Sequence, residues 1–127
     1  MTNIVMLRPK DRLRQDVEAI ATIYRNLGTT SAEGVVTRAL GELAMTMSGL
    51  ALQVRSKQSG DLIRQLRRLG RMAENLGMLS LAQVAGDVSL CLKSEDATAF
   101  AAVWARLLRI AERQLASEAD LIGQTLV

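Results

Sequence analysis

Between Ser59 and Leu79 the apolar positions Leu62, Leu66, Leu69, Ala73 and Leu76 recur at spacings of four, three, four and three. That is the stripe of a helix packed on one side. Arg64, Arg67, Arg68 and Arg71 repeat three and four apart and point the opposite way at about 100° per residue. Ser59 is placed as the N-cap, with Asp61 in the first turn and Gly77 as the stop. The same periodicity predicts four further helices. Upstream, Pro9 opens a helix near Lys10 whose inner face is Leu13, Val17, Ile20, Tyr24 and Leu27, ended by Gly28. Thr30 and Glu33 form a capping-box pattern before a long helix from Ser31 to about Lys57, with Val36, Leu40, Leu43, Met47, Leu50 and Val54 inward. Downstream, Ser80 caps a helix with Leu81, Val84, Ala85, Val88 and Leu92 inward. After Ser94–Asp96, a last helix runs from about Ala97 to Glu118 on Phe100, Val103, Trp104, Leu107, Ala111 and Leu115, and the tail Ala119–Val127 either continues it or frays.

Connections this short force neighbouring helices antiparallel. The expected fold is therefore all-α: an antiparallel up-and-down four-helix bundle with an additional N-terminal helix. One domain spans residues 1–127, with an extended arm over 1–9, the N-terminal helix over 10–27 and the four-helix core over 31–118. Hydrophobic residues make up 49% of the chain, which excludes a disordered polymer, and aromatics only 2%, so leucine, alanine, valine and methionine must fill the core. Met45 and Met47 read as core filler, and Tyr24 as a core-edge ring with its hydroxyl in water.

Charge and reactive residues narrow the function. A net charge of +3 permits an acidic partner without demanding nucleic acid, and no aromatic interleaves with the arginines, so nucleic acid is not expected. There is no histidine, which removes histidine bases, imidazole metal ligands and phosphohistidine. The single cysteine, Cys91, excludes an internal disulfide and reads as a small buried hydrophobe. No glycine-rich phosphate loop, metal-ligand spacing or catalytic triad order occurs. The expectation is a protein that is no enzyme and has no cofactor and no metal. The apolar run Ile4–Leu7 is too short for a signal-peptide core or a membrane span, which makes a cytoplasmic chain without a membrane partner the expectation.

The segment from Leu62 through Leu115 resembles the histidine-containing phosphotransfer (HPt) domain family. Those domains are four-helix bundles with a phosphorylatable histidine in mid-helix, in a motif of roughly His-x-Leu-Lys-Gly-Ser followed by Leu-Gly at the helix end. Leu76 and Gly77 match that Leu-Gly, Leu69 matches the family leucine, and Arg67 stands at the histidine position. Gly70 stands where the family has its phosphate-neutralising lysine, and Arg71 where it has a small residue. The resemblance implies a degenerate member that lacks the phosphoacceptor. The expected function is a non-catalytic signalling module that docks a response-regulator receiver domain or a histidine kinase in a two-component phosphorelay without carrying phosphate. Its partner-binding residues are Arg64, Arg67, Arg68 and Arg71. Against this stand two alternatives: a structural scaffold or homodimer that buries an extra face of the long helix, and an arginine stripe that serves only as a solvated surface.

Overall fold

The computed structural model describes residues 13–58 and 60–126. Among them are five helices and no strand: α1 (Val17–Leu27), α2 (Thr29–Arg55), α3 (Leu62–Asn75), α4 (Leu79–Lys93) and α5 (Ala97–Leu126). Helix α4 packs broadly on both α3 and α5, α2 packs on α3 and α1, and a thinner α2–α5 contact closes the group. The leucine stripe of α3 is inside as its spacing demands: Leu62, Leu66, Leu69, Ala73 and Leu76 are all buried. They meet Val36, Leu43 and Leu50 of α2, Leu81, Val84 and Val88 of α4, and Leu107 and Ile110 of α5 in one core. Ile110 and Met78 join that core although the stripes did not single them out.

The start of the chain departs from expectation. The proposed arm over 1–9, a helix start near Lys10 and the Ser59 cap lie outside the described residues. Leu13–Asp16, however, is not helical. The Asp16 N–H donates to the Gly77 carbonyl at 2.8 Å, and the Arg14 carbonyl accepts from Leu79 N–H at 3.0 Å. The Arg14 N–H donates to Ser80 Oγ at 2.7 Å. These groups pair with the α3–α4 turn instead of with their own next turn, so the segment is an extended strap. Asp16 then caps α1 by accepting the Glu18 N–H at 3.1 Å. With the helix beginning at Val17 and packed mainly on α2, Val17 and Leu27 sit at its ends and stay exposed, at 69% and 48%.

Other boundaries shift for local reasons. Gly28, at φ 81°, is both the stop of α1 and the N-cap of α2, so Thr30 and Glu33 fall inside the helix and make no capping box. Ser80 is the second residue of α4 and holds the strap rather than capping the helix. Gly77 turns the chain at φ 75°, and a Cβ there would overlap the Asp16 carbonyl. Helix α5 continues to Leu126. Met47 is core, but Met45 is 75% exposed. Cys91 is half-buried, with Leu92 and Phe100 beside it, rather than fully enclosed. Trp104 is half-buried and stacks on Phe100 of its own helix, ring centroids 6.2 Å apart. By length and composition α2 is apolar enough to cross a membrane, yet six of its side chains are buried in this fold.

Candidate functional site

The buried leucines of α3 fix the roll of that helix and so place Arg64, Arg67, Arg68 and Arg71 on its exposed side. The structure divides this stripe into three environments. Arg64 is paired: its guanidinium lies 2.7 Å from the Asp61 carboxylate. That carboxylate also accepts from Gln65 Nε2 at 3.1 Å. The Gln65 bond first, and Arg64 second, hold Asp61 below the usual carboxylate range. Arg64 is therefore already compensated, in a pair too exposed to contribute much stability.

Arg68 lies on the α2 side. It lines a groove of about 540 Å³ with Glu42, Met45, Gly49, Gln53 and Gln65. Arg67 and Arg71 lie on the α4 side and line a second groove of about 330 Å³. Its other wall carries Ser89, Leu90 and Lys93, with Gly70 and Gly86 contributing no side chain and Glu74 closing one end. Among the described residues no ion pair neutralises Arg67, Arg68 or Arg71. Two guanidinium groups one turn apart repel, and a partner's carboxylates would relieve that repulsion in bidentate contacts. The four arginines thus share a helix face without forming one site. Lys93, overlooked in the sequence, joins Arg67 and Arg71 because α4 returns alongside α3; its signal was the three-residue turn between the two helices.

A second polar cluster was also missed. Gln114 and Glu118 extend the α5 stripe past Leu107 and Ala111 and are buried. Gln114 Nε2 donates to Gln15 Oε1, which belongs to the strap. Gln15 Nε2 in turn donates to the Leu76 carbonyl at 3.2 Å. Burial pushes the Glu118 carboxyl up. Burial also raises the Tyr24 phenol, and the charges of Glu33 and Glu118 add to the effect. Tyr24 is a half-buried ring at the edge of the core, as expected, and the carboxylates of Glu33 and Glu118 are near enough to act on its phenol. Oε2 of Glu33 and Oε1 of Gln114 are buried without a hydrogen-bond partner. These groups join α1, α2 and α5 at one end of the molecule, away from the arginines. Among the described residues no group of three or more acids or thiols could hold a metal ion. No family model matches this chain, and neither the curated proteins nor the solved structures include a significant match to it.

Proposed function

We propose that the chain is a non-catalytic, phosphotransfer-like docking module that binds a receiver or histidine kinase domain without carrying phosphate. In this reading α2 to α5 form an antiparallel up-and-down four-helix bundle, α1 is the added N-terminal helix, and the exposed side of α3 is the docking face. The observation that supports it is the un-neutralised pair Arg67 and Arg71 beside an open groove, Arg67 standing where the resembling family presents its histidine. Arg68 extends that face towards α2, and Arg64 borders it while paired with Asp61. An acidic pocket such as surrounds a receiver's phosphoacceptor aspartate complements this face. With no histidine in the chain, no imidazole is available to accept the phosphoryl group.

The test is binding to a panel of receiver and kinase domains, with labelled phosphoryl donors present. Binding should weaken as salt rises, because exposed charges are screened beyond about 10 Å at 0.1 M. The Arg67→Glu/Arg71→Glu variant should abolish binding while leaving the unfolding midpoint nearly unchanged, and the chain should stay unlabelled. Wild-type affinity in the double variant, or acid-labile label on the protein, overturns the reading. A second reading rests on α2, whose outward side exposes Met45 and Leu52 at 75% and 59%. A homodimer that covers them would appear in sedimentation velocity as a concentration-dependent shift, with no receiver bound.

A further inference from the structure

The groove between α3 and α4 has a charge order as well as a sign. Only Leu76, Gly77 and Met78 join its two walls, so the helices return antiparallel. Gly70 lies against α4, where an added Cβ would sit 3.9 Å from the Ala82 carbonyl oxygen. Running back from the turn on both helices, residues later in α4 lie beside residues earlier in α3, so Glu74 falls at the turn end of the groove and Lys93 at the Ile63 end. Read along the groove from its far end, the charges are therefore Lys93, Arg67, Arg71 and then Glu74. Arg67 and Arg71 are about 6 Å apart along the axis, and the lined stretch is about 16 Å long, or three helical turns. A Cβ on Gly86 would meet nothing within 4 Å, so the middle of the groove is open. Leu90, 63% exposed, offers an apolar contact on the α4 wall.

We propose that this groove seats an acidic helix of a partner protein, with carboxylates about one turn apart along Lys93, Arg67 and Arg71 and a basic residue against Glu74. The proposal deepens the docking-face reading and rests on it for the location of the site. Charge complementarity selects the occupant. A helix repeats every 5.4 Å, close to the spacing of the two arginines. A nucleic acid strand is uniformly anionic, would set a phosphate against Glu74, and would find no aromatic ring in the groove to stack on.

The experiment measures fluorescence anisotropy of the full chain with two labelled, lactam-stapled helical peptides of one composition. The first carries three glutamates one turn apart, a lysine one turn beyond, and leucines on the adjacent face. The second has the lysine moved between the glutamates, so that neither docking direction matches the groove. The first peptide should bind about fivefold more tightly, and Lys93→Glu should weaken it about tenfold without moving the thermal midpoint, as expected for a few exposed charge pairs. Equal binding of the two peptides, indifference to Lys93→Glu, or equal competition by a single-stranded oligonucleotide of matched charge overturns the proposal. Peptide discrimination with no receiver or kinase bound upholds the groove and sinks the two-component partner. A bound receiver without peptide discrimination does the reverse.

Discussion

Replacing Gly77 with alanine tests the strap that links the start of the chain to the α3–α4 turn. Two costs act together. At φ 75° the residue is in the left-handed region, which costs a side-chain-bearing residue about 1–2 kcal/mol. The new methyl would also overlap the Asp16 carbonyl and sit 3.2 Å from Ala19 Cβ, so the strap must lift. Lifting it breaks the Asp16–Gly77 and Arg14–Leu79 backbone bonds, each a net loss of about 1 kcal/mol. The sum is about 3–4 kcal/mol, a large fraction of the roughly 5–15 kcal/mol that holds a typical domain folded. Urea unfolding followed by far-ultraviolet circular dichroism measures it. Gly77→Asn separates the two causes. Asparagine tolerates the left-handed region better than alanine does but still carries a Cβ. It should therefore recover only the smaller, conformational part. Gly77→Ala within about 0.5 kcal/mol of wild type would show that the strap contributes nothing and that the overlap is relieved freely.

Two further predictions concern the interior. Leu69→Ala removes a fully buried side chain from the centre of α3 and should cost about 2–5 kcal/mol in the same urea assay; a loss below about 1 kcal/mol would mean that the stripe does not carry the core. Glu118 has its folded-state pKa raised above the ordinary value of 4.5, so the stability linked to its proton is full below that value and is lost as pH rises through the raised one. Glu118→Gln should flatten this fall, with the variant gaining on wild type above that window; parallel stability–pH curves for the two proteins would refute the assignment.

What could be read from the sequence follows the range of the interactions. The inner face of α3 was legible because Leu62, Leu66 and Leu69 are set by a local period that any partner helix satisfies. The strap was not. Arg14 and Ser80 meet across most of the fold, and Leu13 and Val17 have the spacing of a helix that these bonds pre-empt. Ser80 has a capping chemistry that is spent on the strap instead. The arginines were found correctly as an exposed face, but their division was hidden. Whether Arg68 belongs with Glu42 or with Lys93 depends on which helices flank α3. The burial of Glu118 was not legible, because a carboxylate is rarely buried and its place beside Tyr24 depends on how α1 packs.

The strap also sets an order in which the chain can assemble. Helices α3, α4 and α5 meet their neighbours through turns of a few residues, which close at small entropic cost. The bond from Arg14 to Ser80 spans 66 residues, and that from Gln15 to Gln114 spans 99. Contacts of such separation are the slowest to find, and their partners do not exist until the α3–α4 turn and α5 are in place. The first part of the described chain to leave a ribosome is therefore the last to lock. Until it does, the turn at Gly77 lacks the Asp16 backbone it bonds to, and α1, with no fully buried residue, rests on the half-buried Ile20, Ile23 and Tyr24 alone.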